Sequence, residues 1–281
     1  MTQQENEKLI KYACEVRMGI IDAVHSAKSG HPGGSLSSAD ILTYLYFNEM
    51  KINPKFPKAD LRDRFVLSKG HAAPGLYSIL ANRGFFDVSD LKTLRHTGSY
   101  LQGHPNMNTV PGVDMSTGSL GQGVSAAVGM AKAAKIKNLE TNTYALLGDG
   151  ELAEGEVWEA FMFASHYNLD NFCAIIDRNG LQIDCKTQDV MNTAPLEDKL
   201  EAFGFKIIVI DGHNFNEIEK ALKEFHNCQG KPFCIIMNTI KGKGVSFMEN
   251  NVGWHGKAPN DEEYKIAMDE LNKSIAEVEG R

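Results

Sequence analysis

An aspartate held between two glycines, Gly148-Asp149-Gly150, and an asparagine thirty positions beyond it, Asn179, are the residues whose types and spacing point most directly to chemistry. Each follows an apolar run that reads as a β-strand, 144–147 before the first and 172–177 before the second. Between the runs, Val157, Phe161 and Ala164 recur at helical spacing over 154–167, so the segment reads as a βαβ unit. In a parallel sheet built this way, both polar residues lie past the carboxyl ends of their strands, where open α/β sheets bind ligands. A carboxylate and an amide carbonyl meeting there are hard oxygen donors. They suit Mg²⁺ or Ca²⁺ held by few protein ligands together with a diphosphate. The glycines beside Asp149 let backbone approach that diphosphate with no Cβ in the way.

Histidine supplies the second set of candidates, because its ordinary pKa allows proton exchange near neutrality. Of nine histidines, His31, His71 and His104 each follow a glycine in a loop-like stretch, and His255 precedes one. Four loop imidazoles on a rigid scaffold would offer a polyhydroxylated substrate hydrogen bonds and proton transfer. His213, in Asp211-Gly212-His213-Asn214, reads instead as a strand end running into a helix N-cap. His25, His96, His166 and His226 fall on or near helices and read as structural.

The elements that must position these groups follow from periodicity. A helical stripe (Leu9, Ala13, Val16, Ile20, Val24) covers 4–28, and a Gly-rich loop over 30–35 leads into a helix at 37–49. A strand at 65–68 turns through Lys69-Gly70-His71 into a helix ending near Arg83, and 97–120 reads as loop. A helix of small residues follows at 121–137; beyond the central unit come strand 206–210, helix 215–226, strand 233–238 and a polar helix from Asp261. The alternation predicts an α/β fold, a mostly parallel sheet with helices on both faces. At 281 residues, with 42% apolar and 23% charged side chains, the chain fits one large domain. A net charge of -7 argues against a nucleic-acid partner, and no apolar run approaches a membrane span. The five cysteines contain no Cys-x-x-Cys, and the polar start has no targeting pattern, which together point to a cytoplasmic protein. Gly118-x-x-Gly121-x-Gly123 is not a dinucleotide fingerprint, and Lys241-Gly242-Lys243-Gly244 lacks the rest of a P-loop; its place after the strand ending near Asn238 would let it flank an active-site mouth, while a flexible basic turn is the favoured reading.

The Gly-Asp-Gly to Asn interval resembles the thiamine-diphosphate motif, and that resemblance adds the backbone carbonyl of Leu181 to Asp149 and Asn179 as metal ligands. Further stretches resemble the N-terminal half of transketolase: Ser29-Gly30-His31-Pro32-Gly33-Gly34, Leu67-Ser68-Lys69-Gly70-His71-Ala72, Gly103-His104-Pro105, 117–123 and 148–155. The resemblance spans nearly the whole chain. It implies that thiamine diphosphate lies against His71, Gly118, Leu120, Gly148, Asp149, Gly150, Asn179 and His255. It further implies that His31, His104 and His255 contact a sugar substrate. Glu154 would belong to a carboxylate network at a subunit interface that also serves the cofactor, with Glu159 a second possible member.

A transketolase normally continues into a pyrimidine-binding domain and a C-terminal domain. The first supplies a glutamate that activates the cofactor, and substrate-phosphate arginines are missing here as well. A split enzyme is therefore expected, with 1–281 as a single diphosphate- and metal-binding domain. A C-terminal-half subunit would complete the site in a two-plus-two assembly. The implied reaction is transfer of a two-carbon ketol unit from a ketose phosphate to an aldose phosphate, as in the pentose phosphate pathway. Alternatives are a deoxyxylulose-phosphate synthase-like or dehydrogenase-component subunit, or a non-catalytic cofactor-binding assembly subunit.

Overall fold

The computed structural model describes residues 1–183 and 185–280. Five strands, β1 (Arg64–Leu67), β2 (Thr143–Gly148), β3 (Phe172–Arg178), β4 (Lys206–Asp211) and β5 (Phe233–Asn238), form one sheet in the order β1-β2-β3-β5-β4. All four pairings are parallel, with Ala145 opposite Ala174 and Ile175 opposite Ile235 at the centre. Every strand therefore ends on the same side. Strands β2, β3 and β5 are apolar almost throughout because both of their faces are covered.

Side-chain alternation divides the core into two layers. Leu146, Ile175 and Ile235 pack against α1 (Gln3–Ala27), α2 (Pro32–Ser37), α3 (Ala39–Tyr44), α4 (Ala73–Asn82), α9 (Phe215–Asn227) and α10 (Asp261–Glu279). Ala145, Leu147, Ala174 and Ile236 face α5 (Gln122–Ile136), α6 (Gly155–His166) and α8 (Leu196–Ala202). The expected α/β architecture with helices on both faces is what forms, and a short helix α7 (Thr187–Val190) follows β3. No helix among the described residues is long and apolar enough to cross a membrane.

Three expectations need correction. The Gly-rich stretch after Gly30 is helical from Pro32, whose fixed φ and missing N–H suit a first helical position. The helix expected at 37–49 is interrupted at Ser38 and ends in a widened π turn, Leu45–Glu49. Helix α8 leaves no mark in the periodicity because its two buried residues, Leu196 and Leu200, are too few to give a stripe. The polar helix α10 does dock: Tyr264 donates to Asp22, His25 bonds Asp261, and the His25 and Tyr264 rings stack.

Ile175 is fully buried at the sheet centre, whereas Ile136 is 69% exposed at the end of α5. Ile175→Ala is expected to cost about 2–5 kcal/mol, and Ile136→Ala no more than about 0.5 kcal/mol. Urea unfolding of both variants checks this, and similar losses would contradict the layer assignment.

Candidate active site

The carboxyl ends of β1, β2, β3 and β5 surround a cleft of about 400 Å³. It is lined by His31, His71 and His255, by Lys69 and Lys241, and by Gly118, Leu120, Gly148, Asp149, Gly150, Asn179 and Leu181. A neighbouring depression of about 580 Å³ shares Asp149, Asn179 and Leu181 and runs toward Arg178 and Glu197.

On the oxygen-rich side, Asp149 is buried. Its Oδ1 accepts from Gly150 N at 2.9 Å, and its Oδ2 accepts from Gly180 N at 2.7 Å and Thr187 Oγ1 at 3.3 Å. Burial and then the neighbouring Asp177 push its carboxyl above the ordinary range, more than these donors offset. Asn179 donates Nδ2 to Asp177 at 3.1 Å, and its Oδ1 accepts from Leu181 N at 3.1 Å. The Leu181 carbonyl accepts from Lys241 Nζ at 2.9 Å. Counting lone pairs, Asp149 Oδ1, Asn179 Oδ1 and Leu181 O each retain one.

Asp177, near the end of β3, holds this side together. Its carboxylate takes the Lys69 ammonium, the Ser37 hydroxyl at 2.6 Å, the Asn179 amide and the Thr239 hydroxyl. Burial pushes the carboxyl up, but Lys69 and the two hydroxyls outweigh it and hold it below its usual value. Lys69 also donates to Gly34 O at 2.9 Å. Close by, Glu151 accepts from Ser68 Oγ and from the N–H groups of Gly121 and Gly148, at 2.9 and 3.0 Å. That ties the Gly118–Gly123 turn to the β2 exit.

The opposite side is imidazole. His71 and His255 stack at 5.2 Å between centroids, and His31 meets each edge-on at 5.4 Å. Burial lowers all three. His71 falls to about 2 with Lys69 as the next cause, His255 to about 3 with Lys241, and His31 to about 4 with Arg95. The rings are thus neutral acceptor–donors at physiological pH. Lys241 Nζ lies 2.8 Å from His255 Nδ1. That nitrogen accepts, so the ring proton sits on Nε2.

Lys241 lines the cleft, so 241–244 flanks its mouth and is not the flexible turn that the sequence favours. Its side chain is 2% exposed, and burial, followed by Lys69, lowers it to about 8. Gly33 makes room for it, since a Cβ there would come within 3.1 Å of the Lys241 stem. The turn is clamped from behind. Asp40 receives Arg17 and His213, His213 Nε2 accepts from Ile240 N at 2.8 Å, and Arg17 donates to Lys243 O at 3.0 Å. His213 therefore has a bonding role beyond a strand end, while Asn214 is the N-cap of α9 as expected.

The fold brings together His31, His71, His255, Gly118, Leu120, Gly148, Asp149, Gly150, Asn179 and Leu181. His104 lies at the rim, exposed, with its ring close over Gly118. Glu154 is the exposed N-cap residue of α6, and neither it nor exposed Glu159 reaches the cleft of this chain. Sequence reasoning does not single out Lys69, Asp177, Glu151 or Lys241 as site residues. Yet Lys69 stands inside the 67–72 motif, and Asp177 closes the apolar run of β3. An ionisable residue at a buried strand end is the signal that could have found them.

Residues 8–274 match the family described as transketolase, thiamine diphosphate binding domain. The chain is 46% identical to the 6-deoxy-6-sulfo-D-fructose transketolase subunit SqwG of Clostridium sp. (strain MSTE9), over 93% of this chain and 95% of that one. It is 43% identical to an apulose-4-phosphate transketolase subunit of Phocaeicola vulgatus, over 94% of this chain and 93% of that one. Human transketolase is 42% identical, but the match covers 91% of this chain and 40% of that protein. The crystal structure of Campylobacter jejuni transketolase superposes with a TM-score of 0.88 at 35% identity, over 96% of this chain and 45% of that one.

The depressed histidines fix a pH dependence. A chain that unfolds between pH 6.5 and the folded-state values takes up protons, so stability falls as pH drops through that window. Between about pH 6.5 and about pH 5 the wild type is expected to lose more melting temperature than His71→Asn. Equal losses would argue that His71 is not buried neutral. The chain belongs to the transketolase thiamine-diphosphate-binding family, among relatives that include chains of similar length named as transketolase subunits.

Proposed function

We propose that this chain binds thiamine diphosphate with Mg²⁺ or Ca²⁺, and that a C-terminal-half subunit completes its site for transfer of a two-carbon ketol unit between sugar phosphates. The observation that carries the reading is the juxtaposition of three available oxygen lone pairs, on Asp149, Asn179 and Leu181, with three neutral imidazoles across one cleft.

The donor set fits a divalent ion paired with a diphosphate. Hard oxygens from one carboxylate, one amide and one carbonyl leave about half of a coordination sphere for phosphate and water. No cluster of three or more His, Cys, Asp or Glu placed to hold a metal occurs among the described residues. A mixed set of this kind is the arrangement a metal would have to use. Asp149, with its anionic form disfavoured by burial and by Asp177, gains most from a cation beside it. His71, Gly118, Leu120, Gly148, Gly150 and Lys241 would hold the remainder of the cofactor, the Lys241 ammonium facing its anionic groups. Thiamine diphosphate, when bound, supplies a carbon nucleophile and an electron sink for carbon–carbon cleavage.

The protein's own part is orientation and proton handling. His31, whose buried Nδ1 has no partner among the described residues, is assigned to take the donor-hydroxyl proton during cleavage, and His255, with its Nε2 proton set by Lys241, to donate a hydrogen bond to the oxygen that gives it up. His104 is assigned the terminal hydroxyl of the two-carbon unit. Exposed Glu154, at the N-cap of α6, is assigned to an interface with a second copy, in a cytoplasmic two-plus-two assembly, with exposed Glu159 of α6 a second possible member. Relatives of this length named as subunits support a partner chain. The substrates in their names, a 6-deoxy-6-sulfo-D-fructose and apulose 4-phosphate, support counting specialised sugars alongside pentose phosphates as candidates.

Two measurements test the reading. Asp149→Ala is expected to abolish Mg²⁺-dependent binding of thiamine diphosphate by calorimetry, and retained affinity would remove the metal assignment. Ketol transfer from fructose 6-phosphate is expected only when the chain is mixed with a C-terminal-half transketolase subunit. Turnover by the chain alone would contradict the shared site.

A further inference from the structure

The loops that carry His31 and His104 are joined by one side chain, Arg95. Its φ of 59° lies in the left-handed region, which a residue with a long side chain seldom occupies without a reason. The backbone is held there by Arg95 N donating to Leu101 O at 2.8 Å. From that position Nη1 donates to Ser29 Oγ at 2.7 Å, two residues before His31. The guanidinium lies against Gly103, immediately before His104. A Cβ on Gly103 would stand 2.9 Å from Nε, 3.0 Å from Nη2 and 3.1 Å from Cζ. Nε itself is buried without a partner among the described residues, so the Ser29 bond at Nη1 and packing against Gly103 together set the plane of the group. From the other side, Tyr77 Oη donates to His104 O at 2.8 Å.

We propose that Arg95 is a positioning residue, stapling the Ser29–His31 loop to the Gly103–His104 loop and so fixing the spacing of the two imidazoles across the cleft mouth. The role extends to charge. The groups facing His104 are Arg95, the neutral Tyr77 hydroxyl on its carbonyl, and the His31 ring. His31 faces Arg95, His104, His71, His255 and Lys241. After burial, the Arg95 cation is the cause that lowers His104, and the second cause for His31. The staple thus also keeps both rings in the form that accepts a proton from a sugar hydroxyl. Its catalytic consequence rests on the roles assigned above to His31 and His104; the staple itself does not.

The experiment is a histidine-ring NMR titration of the full chain as wild type, Arg95→Gln and Arg95→Lys. His104 is expected to protonate at higher pH in R95Q than in wild type, while R95K, which keeps the charge, stays near wild type. An unchanged His104 titration in R95Q overturns the proposal. The second readout is kcat/KM for fructose 6-phosphate after assembly with a C-terminal-half subunit, thiamine diphosphate and Mg²⁺. Both variants are expected to lose roughly ten-fold, because neither retains the planar fork, with cofactor affinity unchanged. Wild-type kcat/KM in R95Q, or an equal loss of cofactor affinity, also overturns it. If wild-type assembly transfers no ketol unit, the proposed function fails while the titration still decides the effect of Arg95 on His104.

Discussion

Everything at the carboxyl end of the sheet depends on one buried ion pair, Lys69 with Asp177. Two charges with 1% and 0% exposure carry a desolvation cost that their mutual attraction offsets only if the remaining polar atoms are satisfied. They are satisfied here by four different parts of the chain. The Lys69 turn follows β1, Asp177 and Asn179 close β3, Thr239 follows β5, and Ser37 with Gly34 belongs to α2. Such a network permits only one relative placement of these ends. It also sets the Asn179 amide: with Nδ2 committed to Asp177, the carbonyl oxygen is turned toward Leu181 N and keeps one lone pair free.

Around that anchor the cleft separates into two environments. One wall offers oxygen atoms with spare lone pairs, and the other offers imidazoles kept neutral by burial and by nearby cations. One of those cations serves both walls. Lys241 reaches Leu181 O on one side and His255 on the other, and the Arg17–Asp40–His213 network behind it leaves its turn little freedom. Charge is thus distributed so that an anion entering the cleft meets donors, while proton-accepting rings remain uncharged beside it.

Much of this is legible in the residues. Continuous apolar runs mark β2, β3 and β5 because those strands are buried on both faces, and the glycines mark where β2 ends and the ligand side begins. Asp149, Asn179 and three of the four glycine-adjacent loop histidines converge as their loop positions suggest. What local pattern does not supply is pairing across distance. Lys69 and Asp177 stand 108 positions apart, and nothing in either neighbourhood announces the other. Lys241 reads most readily as a flexible basic turn because the groups that enclose it, Gly33, Leu181 and His255, come from other segments. Glycine-rich 32–37 is helical because tertiary packing overrides a weak propensity, every residue of α2 being buried.

The depressed Lys241 has a thermodynamic corollary. With its folded pKa near 8, this amine is partly deprotonated at mildly alkaline pH, whereas the imidazoles beside it have long since lost their protons. A phosphate-bearing group seated against it favours the ammonium and raises that pKa again. Binding then draws a proton from solvent, so the observed heat will depend on the ionisation enthalpy of the buffer. On that basis the cleft would take up an anion and a proton together.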